Sequence, residues 1–287
     1  MLAMVFFASL ERQLNIQCVS IQNFEFERRR TAIKRIVSCC MLLLLFCLLT
    51  GCQEIDPRTI YTQAQKKTSA LSSGERTIQL ELVIDPEGSA KTYSWDMTAR
   101  FLREEKQTKL AIESENTFPE RSFSSQSLYD GSTLYINDNG QKYRAQMEYS
   151  VLQQRISRVY PSLEISVSQM KELTSKTRDG GQEFQFAISA GNVESLRDFV
   201  MSQIENFSTD IPTEFTVEKS EGMVWVNQDG YIASTTLQIP CAVLYHGEEL
   251  EAEMTYQEEL VSPGQQVKIE MTNPEEYPEV TMWDLPW

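Results

Sequence analysis

Ile78, Leu80, Leu82 and Ile84 alternate with Gln79 and Glu81, and the run ends at the turn residues Asp85-Pro86-Glu87-Gly88. Tyr93, Trp95, Met97, Ala99 and Phe101 then alternate with Ser94, Asp96, Thr98 and Arg100. Successive side chains of a strand point to opposite faces, so a period of two held this long predicts long antiparallel strands with one buried face. Leu110 with Ile112 predicts a third strand, and Phe123 to Tyr129 a fourth. Tyr129-Asp130-Gly131 and Asn137-Asp138-Asn139-Gly140 bracket the strand Leu134-Tyr135-Ile136, because Asn and Gly tolerate the positive φ of hairpin turns.

The last third repeats the pattern. Phe215 and Val217, then Val224 and Val226, then Tyr231 to Ile239, then Leu250, Ala252, Met254 and Tyr256, and finally Val267, Ile269 and Met271 are each spaced by two. Between the two β regions the period changes. Tyr149, Leu152, Ile156 and Val159 recur at helical spacing until Pro161, and Val167, Met170 and Leu173 continue it. Phe184, Phe186 and Ile188 predict an isolated strand, and Asn192 is expected to cap a helix carrying Val193, Leu196, Phe199, Val200 and Ile204. A further helix is expected from Pro57 to about Leu71, stopped by Ser72-Ser73-Gly74. There is no β-α-β alternation and no glycine-rich phosphate loop, which argues against a nucleotide-binding parallel sheet. The expected class is α+β: one long, curved antiparallel sheet, a half-barrel, packed on amphipathic helices. Residues 57–272 would form this domain and 273–287 an irregular tail.

Upstream lies a segment of another kind. Arg28, Arg29, Arg30, Lys34 and Arg35 precede an almost wholly apolar run from Ile36 to Leu49. The run matches the length of a signal-peptide core, and a bilayer-spanning helix needs about 20 residues. It ends in Leu49-Thr50-Gly51-Cys52, which resembles the lipobox of bacterial lipoproteins. That resemblance implies cleavage before Cys52 and diacylglycerol on its thiol. Residues 1–51 are then a signal peptide, with 1–27 fitting an over-extended gene start, and 52–56 the lipid anchor and tether. The competing expectation is an uncleaved signal anchor.

The chain has six cysteines and one histidine. Cys18, Cys39, Cys40 and Cys47 fall in the signal segment and Cys52 is committed to lipid, which leaves Cys241. No disulfide or Cys/His zinc site is then expected in the mature part, so burial and strand pairing must hold it. Residues 1–52 contain six of the 26 basic and three of the 41 acidic residues, so the remainder carries a net charge of about −18. Such a balance argues against nucleic acid and against an anionic surface as electrostatic partners.

Catalytic patterns are weak. Ser168-Gln169-Met170-Lys171 fits a Ser-x-x-Lys motif, but Ser-Asp-Asn and Lys-Thr-Gly are absent. A Ser-His-Asp triad would need His246, beside Gly247 in what reads as a hairpin turn. Glu249, Glu251 and Glu253 alternate onto the solvent face of a strand. Asn137–Gly140 and Asn227–Gly230 echo each other, but Tyr135 and Trp225 stand where a calcium loop needs acids. No cofactor, no metal and no catalysis are expected.

A lipobox cysteine, a short tether, a helix, strands, the Tyr135-x-Asn137-x-x-Gly140-x-x-Tyr143 hairpin, mid-chain helices and a closing meander together resemble the LolA/LppX-type lipoprotein fold. Small Gram-positive lipoproteins share that layout. The resemblance implies a half-barrel on the extracytoplasmic face of the cell membrane, with a lipid or other amphiphile held between sheet and helices. Tyr93, Trp95, Met97 and Phe101, with Phe184 and Phe186, are the expected lining. A filled core is the alternative at those positions, and with it an interaction module that binds an envelope protein.

Overall fold

The computed structural model describes residues 56–285 apart from 86, 87, 106, 162, 209, 210, 271 and 272. Asp56 to the C-terminus forms a compact unit with its own hydrophobic core, the property that lets a domain fold alone.

Helix α1 (Pro57–Ser69) starts with Pro in its first turn and Asp56 at the cap, whose side chain accepts from Arg58 N at 3.1 Å. Its buried stripe is Tyr61, Ala64 and Thr68. Six strands follow as a meander: β1 (Ser73–Ile84), β2 (Lys91–Arg103), β3 (Thr108–Thr117), β4 (Ser122–Tyr129), β5 (Thr133–Asp138) and β6 (Gln141–Gln146). Helix α2 (Tyr149–Val159) leads to β7 (Lys171–Arg178) and β8 (Gly181–Ile188), and then comes helix α3 (Glu194–Phe207). The chain closes with β9 (Glu214–Val217), β10 (Ser220–Val226), β11 (Ile232–Tyr245) and β12 (Glu248–Val261).

Among the described residues these strands make one 12-stranded antiparallel sheet, ordered β6-β5-β4-β3-β2-β1-β12-β11-β10-β8-β7, with β9 paired to β11 beyond β10. Strand β12 returns to lie beside β1, in the register Leu80↔Tyr256 and Leu82↔Met254, so the two meanders share one continuous inner face. Sheet and helices form the α+β half-barrel that the alternation predicts. Leu196, Phe199, Val200 and Ile204 of α3 and Tyr61 and Ala64 of α1 complete the main core on that face. A smaller core gathers Tyr129, Leu134, Ile136, Met147, Leu152 and Leu285 near β5 and α2.

Four local expectations change. The helical spacing of Val167, Met170 and Leu173 serves one 3-10 turn, Val167–Gln169, in which Ser166 N donates to Gln169 Oε1 at 2.7 Å; the chain then extends as β7. Strand β8 is therefore not isolated. It pairs with β7 through the turn Asp179-Gly180, both residues at positive φ, and with β10 on its other side. Asn192 does not cap α3, whose cap residue is Val193; its side chain donates to Ser189 Oγ and accepts from Gln169 Nε2. Val267 and Ile269 form no strand: the chain leaves the sheet after Val261, and Val267 N donates to the Ser73 side-chain Oγ at 3.0 Å rather than to a ladder carbonyl. Met271 lies outside the described residues.

Candidate ligand cavity

Cys52 and the residues before it, Leu49, Thr50 and Gly51, lie outside the described residues. Of the six aromatic and Met positions, Tyr93, Trp95, Met97, Phe184 and Phe186 are buried in the main core. Tyr93 and Trp95 stack along β2 with centroids 6.5 Å apart, and Phe118 meets them edge-on at 5.3 and 5.4 Å. Phe199 of α3 closes on Trp95 at 6.0 Å, and Phe123 and Phe207 flank Phe118. Phe184 packs instead against Tyr61 of α1 at 5.8 Å. Phe101 stands apart, half-buried at the end of β2, with the Arg103 guanidinium 5.4 Å from its ring. The aromatic centre is thus closely packed. Phe118, which completes it, lies at a β-turn where no periodicity marks it, and Phe207, the last residue of α3, continues the helical row of Val200 and Ile204 by one more turn.

A cavity of about 350 Å³ opens elsewhere on the inner face, beneath α1. One wall is the helix, through Tyr61, Gln65 and Thr68; the opposite wall is the sheet, through Arg76 of β1, Thr235 of β11 and Glu258 and Leu260 of β12. Leu163 to Ile165 form the third side, tied to the helix because the Tyr61 hydroxyl donates to Ile165 O at 2.8 Å. Its size lies at the lower end of the range of small-molecule sites, and most of its lining is apolar carbon.

Two charged residues sit on this wall at positions where the alternation calls for apolar ones. Arg76 continues the inward row of Ile78, Leu80 and Leu82, and Glu258 continues that of Met254 and Tyr256. They pair at 2.8 Å, with side-chain exposures of 25% and 11%. The Tyr256 hydroxyl donates to the other carboxylate oxygen at 2.8 Å. Burial, then the adjacent Glu258 charge, holds the Tyr256 and Tyr61 phenols above their ordinary range, so both remain neutral donors.

The remaining chemical candidates are occupied by local structure. His246 lies at positive φ in the exposed β11–β12 turn, its ring 4.5 Å from that of Tyr245. Ser168 Oγ is 2.8 Å from Ser166 Oγ, within the 3-10 turn that precedes Lys171 of β7. The Asn137 and Asn227 side-chain oxygens each accept a backbone N–H of their own turn, from Gly140 and Tyr231.

No protein-family model and no curated protein matches the chain. Solved structures do. The chain is similar to a DUF1329 family protein from Desulfovibrio piger, at 8% identity over 77% of this chain and 97% of that one, with a TM-score of 0.26. It is similar to the ywiB protein from Bacillus subtilis, at 9% identity over 67% and 95% of the two chains, with a TM-score of 0.19. It is also similar to the Mycobacterium tuberculosis lipoprotein LppX, at 15% identity over 75% of this chain and 98% of that chain, with a TM-score of 0.40.

Proposed function

We propose that the mature chain is a lipoprotein, held on the extracytoplasmic face of the cell membrane by diacylglycerol on Cys52, whose folded unit binds a hydrophobic or amphiphilic ligand without catalysing a reaction. The observation that carries the binding half is the cavity of about 350 Å³ between α1 and the sheet, apolar on most of its surface and furnished with one ion pair. Transfer of an alkyl chain into it is favourable by about 0.8 kcal/mol for each methylene removed from water. Movement of α1 is the route of entry, because that helix alone supplies one wall. The lipobox residues Leu49 to Cys52 support the anchored half.

The packed Tyr93–Trp95–Phe118 centre favours a second reading, an envelope interaction module that holds no ligand in its core. Native mass spectrometry of residues 53–287, with organic extraction, separates the two. A stoichiometric adduct that extracts into organic solvent is the expected result. A clean apo mass, with no uptake of an acyl probe, sinks the carrier reading.

A further inference from the structure

Resting on that reading, we infer the chemistry of the ligand's head: the cavity under α1 takes a small single-chain amphiphile whose head is an uncharged carbonyl, an acyl ester or amide, received by the free N–H groups of Arg76. Three observations lead there.

The first is an imbalance of donors and acceptors. A guanidinium carries five N–H donors, and Arg76 commits one of them, Nη1, to Glu258 Oε1 at 2.8 Å among the described residues. Glu258 has both oxygens engaged, one by Arg76 and the other by the Tyr256 hydroxyl. The carboxylate, 11% exposed, is therefore satisfied, while the half-buried guanidinium, 25% exposed, retains donors on the cavity wall. Donors on a cavity wall take their acceptors from whatever fills the cavity, water or the head of a ligand.

The second is charge. The cavity is lined by Lys66 and Arg76 and by Glu164 and Glu258, formally balanced. A carboxylate or phosphate head beside Arg76 would sit next to the Glu258 anion in a chain of net charge −15. A cationic head would meet the guanidinium. A neutral carbonyl accepts from Arg76 and adds no charge to a balanced pair.

The third is size. At about 30 Å³ for a water-sized group, 350 Å³ holds on the order of a dozen non-hydrogen atoms. That suits one short chain with its head, and excludes a two-chain lipid taken in whole.

Isothermal titration of residues 53–287 with four eight-carbon probes tests this assignment: 1-monooctanoylglycerol (ester), N-(2-hydroxyethyl)octanamide (amide), octanoate (anion) and octylamine (cation). One or both carbonyl probes should bind one to one, at least tenfold more tightly than the two charged ones. The ratio of ester to amide identifies which carbonyl the site prefers. The double variant Arg76→Met with Glu258→Gln removes both charges together, so that neither is left buried alone, and should weaken the carbonyl probes at least tenfold. Arg76→Lys, which keeps the charge and loses the fork of donors, should weaken them severalfold. Equal binding of all four probes, or an unchanged affinity in both variants, overturns the head assignment and leaves the cavity reading standing. No binding by any probe overturns both.

Discussion

The ring of Phe186 fills the place where a β-carbon on Gly222 would stand: such an atom would lie 2.4 Å from two ring carbons and 2.7 Å from a methyl of Leu237. The two residues are direct partners across the β8–β10 ladder. An aromatic ring laid over a glycine restores the packing the glycine lacks, and here it leaves no room for a methyl group. Gly222→Ala should destabilise the unit by about 1–3 kcal/mol through overpacking. The midpoint and slope of urea unfolding measure it, and an unchanged midpoint would mean that the Phe186 ring moves aside freely.

Phe118→Ala distinguishes the two places a ligand could occupy. Its ring touches Tyr93, Trp95, Phe123 and Phe207 and is 3% exposed. Its loss should destabilise by about 3–5 kcal/mol, the range of large aromatic truncations in cores. Ligand affinity should not change, because Phe118 does not line the cavity beneath α1. If affinity falls while circular dichroism shows the fold intact, the ligand lies among Tyr93, Trp95 and Met97 after all.

Glu183 gives the unit an acid-side dependence. Its residue is 4% exposed on the outer face of β8, and its carboxylate meets Lys176 Nζ at 2.7 Å, Arg178 Nη1 at 3.3 Å and Gln185 Nε2 at 3.0 Å. The Lys176 hydrogen bond first, against the opposing effect of burial, holds this carboxyl below the ordinary carboxylate range. A folded-state value below the unfolded one makes the contribution complete above the unfolded value and lost as pH falls through the folded one. Glu183→Gln should therefore lower the melting temperature at about pH 7 and narrow its difference from the parent protein in acid, below about pH 4. A constant offset at all pH values would assign the effect to packing alone.

Strands β1, β2, β11 and β12 were legible because one face of each is buried and the other wet, so burial writes a period of two into the sequence. Strand β7 has no such record. It is an edge strand in which no residue from Lys171 to Arg178 is buried, and most are exposed, so no buried row writes a period of two. The turn Asp179-Gly180 closes it, but the helical spacing of Val167, Met170 and Leu173, which the fold uses for a single 3-10 turn, reads as a helix instead. The cavity was hidden for a different reason: periodicity records which residues are buried and is silent on the space between them. What marked it in the sequence was two charges, Arg76 and Glu258, standing in apolar rows.

The anchor makes a separate prediction. Cys52→Ser, expressed from the whole gene, should lose metabolic labelling by a fatty-acid analogue and leave the membrane fraction, with the folded unit unchanged. Retention in membranes without label would identify residues 36–49 as an uncleaved anchor.

The tail after Asn273 guards the β6 edge. Arg144 N donates to Pro278 O and Val280 N to Arg144 O, each at 2.9 Å, a short parallel bridge that uses the outward-facing groups of β6. Tyr277 packs edge-on against Tyr135 at 5.5 Å, Arg155 Nη1 donates to Met282 O at 3.0 Å, and Leu285 enters the smaller core. A stop after Asn273 removes all of these and leaves the backbone groups of β6 open to another chain, the usual route to edge-to-edge association. The shortened protein should melt earlier and elute as dimers or larger species, measured by light scattering after size exclusion. Tyr277→Ala, which leaves the backbone bridge in place, should lose at least about 1 kcal/mol of stability and stay monomeric. That contrast separates the two jobs of the tail: association in the deletion alone assigns protection of the edge to the bridge at Arg144, whereas association in both would make the Tyr135–Tyr277 contact what holds the bridge in place.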